Sequence, residues 1–182
     1  MATRAVRFAT ILLRILTFIL LAISVIILVT DKVKFSDKSE VTFKDIKAYR
    51  YLLSASVIGC AYSLIQIPFA VYWVSTSKRL IRNICLPYFD FYGDKIIALF
   101  LASAVGVGFG VTVELKKLLD GFIDSLRFLG EDQFASEASK LDKFFDKGNV
   151  STGFILLAFI CMAILSILSS IGLARRMGAL FG

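Results

Sequence analysis

Arg14 lies within an apolar run from Phe8 to Val29, and Asp94 within another from Tyr88 to Val113. Each is about six residues inside its run, near 9 Å deep at about 1.5 Å of helix per residue. A lone charge at the centre of a membrane span costs about 3 kcal/mol on insertion scales. Opposite charges at equal depth, on helices that enter from the same side, can neutralise each other through guanidinium–carboxylate hydrogen bonds. Such a pair can be a step in an ion or proton path, or a clasp that fixes the register of two helices. A relay needs further ionisable groups, and the remaining interior offers only Gln66 and hydroxyls such as Ser54, Ser63, Ser103 and Ser166. The clasp is therefore the favoured reading of Arg14 and Asp94. Asp90, one turn nearer the rim, is a competitor for Arg14, and Lys95 can snorkel to the interface.

Little other chemistry is available. The 182 residues contain no histidine, which removes Ser-His-Asp, Cys-His and His-metal sites. No metal-ligand spacing, phosphate loop, nucleic-acid motif, cofactor site or small-molecule substrate site is evident. Cys60 and Cys161 fall in apolar runs and Cys85 in a basic connector, so a disulfide-stapled ectodomain is excluded. Cys85 is juxtamembrane and is a candidate for palmitoylation, with an unmodified thiol as the alternative. Asn149-Val150-Ser151 matches the glycosylation pattern. Its place at the mouth of an apolar run predicts that Asn149 stays unmodified, with Asn149 or Ser151 capping a helix.

These groups must be positioned by membrane helices. Apolar residues make up 58% of the chain and charged residues 19%, against roughly 45–50% and 25% in soluble domains. A soluble globular enzyme is excluded. Four apolar runs reach the length of about 20 residues that a span needs: about 8–29, 48–74, 88–113 and 150–173. Backbone groups at membrane depth must bond internally, so each run is predicted to be a helix. The expected architecture is a single all-α, four-helix membrane domain. Segments 30–47 and 114–149 lie on the side opposite the termini, the outer side if the termini are cytosolic, and the loop 75–87 lies on the side of the termini. The first run follows Arg4 and Arg7 but is too long for a signal peptide and lacks a cleavage site.

Within 114–149, Leu115, Leu118, Leu119, Phe122, Ile123 and Leu126 follow a helical stripe. Phe134, Ala138, Leu141 and Phe145 repeat it, with Gly130 as the expected break. Two amphipathic helices capping the bundle or lying on the membrane are predicted, with a partner-binding lid as the alternative. Small residues recur every four positions at Ala98, Ala102, Gly106 and Gly110, again at Ala104, Gly108 and Thr112, and at Ala55, Gly59 and Ser63. Such rows admit close helix approach. One row on the third helix suffices for its own bundle, and the other is available to a second copy, with packing inside one molecule as the equal alternative. Pro68 should kink the second helix. Tyr49 and Tyr51 are read as anchors at one interface, Tyr72 and Trp73 at the other.

With 21 Lys and Arg against 14 Asp and Glu, the net charge is +7, which favours contact with anionic lipid heads. Lys and Arg alone are more numerous in the segments opposite the termini, so the positive-inside rule leaves orientation open.

Several strings taken together resemble the Casparian strip membrane domain protein-like (CASP-like) family, plant relatives of the MARVEL tetraspan proteins. They are Ile11-Leu12-Leu13-Arg14-Ile15, Ile67-Pro68-Phe69, Asp94 followed by Leu99-Phe100-Leu101-Ala102-Ser103-Ala104, and Gly172-Leu173-Ala174-Arg175-Arg176. The resemblance implies a plasma-membrane protein with cytosolic termini. It also implies a non-enzymatic scaffold that associates with itself and with related CASP-like proteins and recruits partners. Family Arg and Asp positions carry over to Arg14 and Asp94. The Lys-rich segment 31–47 and the lack of cysteine in 114–149 mark a CASP-like relative and not a strip-forming member. The rival expectation is a small channel or transporter subunit, or a transporter regulator.

Overall fold

The computed structural model describes residues 4–34, 40–42, 44–76, 85–128 and 133–181. Four helices, α1 (Arg4–Thr30), α2 (Lys47–Thr76), α3 (Cys85–Phe128) and α4 (Gln133–Phe181), carry the fold. Each is long and apolar enough to cross a membrane. The protein is an all-α, four-span membrane protein.

Around the bundle, α1 packs on α2 and α4, and α3 packs on α4 and more sparingly on α2. On α1 the buried positions are Arg14, Thr17, Leu21, Ser24 and Leu28, a three-and-four spacing that defines one inward stripe, and Asp31 just past the helix end is buried too. Leu52 and Ala55 from α2, Leu101 and Ala104 from α3, and Ile155, Ala158, Met162 and Leu165 from α4 complete the core. The opposite faces, including Leu12, Ile26, Leu64, Leu99 and Ile167, are exposed as a lipid-facing surface requires. α2 runs on through Pro68, which leaves the Leu64 carbonyl without its helical donor.

Segment 30–47 differs from the expected plain loop. Strands β1 (Lys32–Lys34) and β2 (Glu40–Thr42) pair antiparallel, with Val33 opposite Val41. Val33 is buried against the bundle, so the alternation of Lys32, Val33 and Lys34 seats one apolar side chain and leaves Lys32 in solvent. The turn into α2 is fixed by Asp45 Oδ2, which accepts from the Thr42 amide at 2.8 Å.

The larger correction concerns 114–149. It is not a pair of separate helices lying on the bundle. α3 and α4 continue without interruption out of their spans to Phe128 and from Gln133, forming an antiparallel stalk. Between Val113 and Leu119 there is no glycine or proline, and the inward phase of Gly108 and Thr112 carries on into Leu115 and Leu119. At about 1.5 Å per residue, each helix exceeds the roughly 30 Å hydrocarbon thickness about twofold. The expected stripe splits accordingly. Leu115, Leu119 and Leu141 pack against the core while Leu118 and Phe122 face outward. Gly130, the expected break, lies outside the described residues.

Candidate functional site

Arg14 and Asp94 come together in the half of the bundle nearer the chain termini. Arg14 Nη2 lies 3.2 Å from Asp94 Oδ1 and donates to Oδ2 at 3.3 Å. Both side chains are almost completely buried. Tyr62, which sequence reasoning passed over, is the third member. Its hydroxyl donates to Asp94 Oδ1 at 2.8 Å and accepts from Gln66 Nε2 at 3.1 Å. The Arg14 guanidinium carbon lies 5.9 Å from the Tyr62 ring centroid, where the ring face adds attraction for the cation. α2 places Tyr62 and Gln66 four residues apart, hence one above the other on one face. Gly93 makes room, since a Cβ there would lie 2.6 Å from the Tyr62 oxygen. Arg14 Nη1 is buried with no hydrogen-bond partner among the described residues. Lys95 is exposed, with its ammonium 3.9 Å from the centroid of Phe91.

A second polar layer lies toward the other end. Ser24 and Ser151 hydroxyls are 2.8 Å apart, Ser151 donates to the Ser24 carbonyl at 3.1 Å, and Ser56 stands 3.5 Å from Ser24. Three helices are thereby tied, and Ser151 is not a helix cap. Asn149 and Ser151 lie well inside α4, because that helix starts at Gln133. Asn149 Oδ1 is buried without a partner among the described residues.

The third layer closes the end of the bundle opposite the termini. Thr112 gives its proton to the Gly108 carbonyl at 2.7 Å, so Tyr49 is the donor in the 3.1 Å contact with Thr112. Tyr49 is 1% exposed, with Phe144 at 5.6 Å between centroids, so it is a core residue and not the expected interface anchor. Tyr51, half-buried, hydrogen-bonds the exposed Ser103 of α3. Thus Tyr49, Tyr51 and Tyr62 of α2 each hydrogen-bond α3, across the seam where those helices pack most sparingly. Tyr72 is exposed, and the side chains of Trp73 and Cys85 lie outside the described residues. Asp31 is buried and accepts from Lys147 at 2.9 Å. Burial pushes its carboxyl above the ordinary carboxylate range, although Lys147 pulls the other way.

Between the Arg14 and Ser24 layers lie Leu21 and Leu101, both fully buried, with Gly59 against them. A Cβ on Gly59 would stand 2.6 Å from Leu21 Cδ1, so the small side chain sets the α1–α2 approach. The two rows on α3 part company. Ala104, Gly108 and Thr112 face inward, and a Cβ on Gly108 would lie 2.6 Å from Thr152 Oγ1. Of the other row, Ala98 is buried and Ala102 half-buried, while Gly106 and Gly110 face outward with nothing within 4 Å of an added Cβ. The Cβ positions of Gly106 and Gly110 therefore open onto free space in this bundle.

A four-span helical bundle, pinned near one face by a buried Arg–Asp–Tyr cluster, defines the class. Residues 3–122 match the Casparian strip membrane protein domain. The chain is 38% identical over 175 residues to CASP-like protein 4D1 of Ricinus communis, covering 94% of this chain and 95% of that protein. It is 41% identical over 168 residues to CASP-like protein 4D2 of Arabidopsis thaliana, covering 91% and 89% respectively. The chain belongs to the CASP-like family of membrane proteins. No solved structure matches it.

Proposed function

We propose that this protein is a non-enzymatic scaffold of the plasma membrane, with both termini in the cytosol, that self-associates and gathers partners into a membrane subdomain. The observation that carries this reading is how the buried charges are used. Arg14 and Asp94 are spent on each other, Tyr62 and Gln66 brace them, and the fully buried Thr17, Leu21 and Leu101 lie between them and the next polar layer. A transport path would need those charges to face water and exchange partners. A clasp needs them dry and fixed, and a rigid bundle offers its outer surface to neighbours. The outward glycines Gly106 and Gly110 support close approach of another helix there.

Photobleaching a fluorescent fusion at near-native level in plant plasma membrane tests the proposal. Slow or absent recovery in discrete patches is expected. Full, fast recovery would overturn the scaffold and favour a freely diffusing subunit or regulator of a transporter.

A further inference from the structure

Where α1 ends, one carboxylate is held out of water. Asp31 is the first residue past the helix, its amide bonded back to the Ile27 carbonyl, and it leads directly into β1. Its side chain is 5% exposed. Its cationic partner among the described residues is Lys147 of α4, whose ammonium donates at 2.9 Å and is carried on a side chain 60% exposed. The pair is lopsided. The carboxylate has given up its hydration, while the ammonium has kept most of its own.

The other groups around Asp31 do little to replace that water. From α2, Tyr49 lines the same cleft but gives its proton to Thr112. From α3, Lys116 acts on Tyr49 but is held by Asp142 and Asp146. On α4 itself, Lys143 is exposed one turn before Lys147, and on β1 Lys32 is exposed. Desolvation penalises the ion and spares the neutral acid. Burial is accordingly the larger influence on the Asp31 proton and Lys147 the smaller, opposing one. A cleft lined by Tyr49, Phe144, Lys147 and Gly148 reaches Asp31 and gives a proton its way in.

We propose that Asp31 is a proton switch for Lys147. Ionised, it holds the lysine against the end of α1 and so ties the root of the β1–β2 hairpin to α4. Protonated, it stays buried as the neutral acid and lets the ammonium go into solvent. One proton is taken up and one ion pair is lost, so acid adds a free positive charge to this face of α4. Val33, seated separately against the bundle, keeps the hairpin in place in both states. Asp31 lies beyond the apolar run of α1, so the switch reads the pH of the compartment that the stalk faces.

NMR spectra of the full-length protein in detergent, its lysines dimethylated with labelled formaldehyde, test the switch. Dimethylation keeps the charge, and the chemical shift separates a paired ammonium from a free one. Lys147→Arg identifies the Lys147 signal. As pH falls, that signal should move to the free position, with a midpoint above the ordinary aspartate value of about 3.9. In Asp31→Asn, which fixes the neutral form, it should stay at the free position at every pH. The unfolding midpoint of the wild type, measured against Asp31→Asn, should fall as pH rises through the same transition. The native chain holds this proton more tightly than the unfolded chain, so stability is lost as the proton leaves. A wild-type signal that never moves, or moves with a midpoint at or below about 3.9, overturns the switch. So does a signal that titrates the same way in Asp31→Asn. If that variant fails to fold, the wild-type midpoint alone decides.

Discussion

Left alone at its depth of about 9 Å, Arg14 costs somewhat less than the roughly 3 kcal/mol of a charge at mid-span, and the protein meets that cost with one carboxylate and one phenol. Removing one partner of a buried pair strands the other, a loss of about 3–5 kcal/mol. Asp94→Ala is expected to destabilise the bundle by that amount, and Arg14→Ala by a similar one. The double variant should lose less than the sum, because no charge is left buried. Tyr62→Phe removes a hydrogen bond to a charged acceptor and should cost about 1.5–3 kcal/mol. Thermal unfolding of the four variants in one detergent checks the set, and additive losses for Arg14 and Asp94 would rule out the clasp. The pairing of Arg14 with Asp94 was legible because charges in apolar runs are rare and their depths could be counted. Tyr62 was not. A tyrosine in a span reads as an aromatic filler, and only its place four residues before Gln66, the other hydrogen-bonding side chain on that face, hinted at a network.

At the scale of helices, the question is which faces meet. Spacing showed two small-residue rows on α3 but could not say which one turns inward, because both are apolar and membrane helices lack a polar outer face to break the tie. Three-dimensional packing decides it. A Cβ added at Gly108 would run into Thr152 and Leu52, whereas one at Gly106 would meet nothing within 4 Å. Gly108→Val should therefore force α3 and α4 apart and cost about 1–3 kcal/mol, as overpacking does. Gly106→Val should leave the unfolding midpoint of the isolated protein unchanged. Equal effects of the two would mean the helix is rotated from its position here. Helix ends were the least legible feature, since α3 and α4 outrun their apolar runs and nothing in hydropathy marks a helix that continues into water. The breakers that would have ended them are absent between Val113 and Leu119, and that absence was the available signal.

For the whole molecule, the decisive unknown in the sequence was orientation, because Lys and Arg are more numerous in the segments opposite the termini, against cytosolic termini, and acids contribute little to the rule. The fold turns this into an accessibility question with one answer per site. Gly121 and Ser125 are exposed on the stalk, beyond the Lys116–Asp146 contact, while Gly106 is exposed at span depth. Single cysteines placed at these positions, after replacing Cys60, Cys85 and Cys161, report the environment of each through a membrane-impermeant thiol reagent applied to intact cells. With cytosolic termini, Gly121→Cys and Ser125→Cys should react within minutes and Gly106→Cys should stay protected. A cysteine added beyond Gly182 should react only after the membrane is opened. Labelling of that terminal cysteine in intact cells, with the stalk protected, would invert the topology and put the charged stalk in the cytosol. The same helices, clasp and stalk would then present Leu118 and Phe122 to cytosolic partners. The sidedness of the stalk thus determines which compartment's proteins the scaffold can gather.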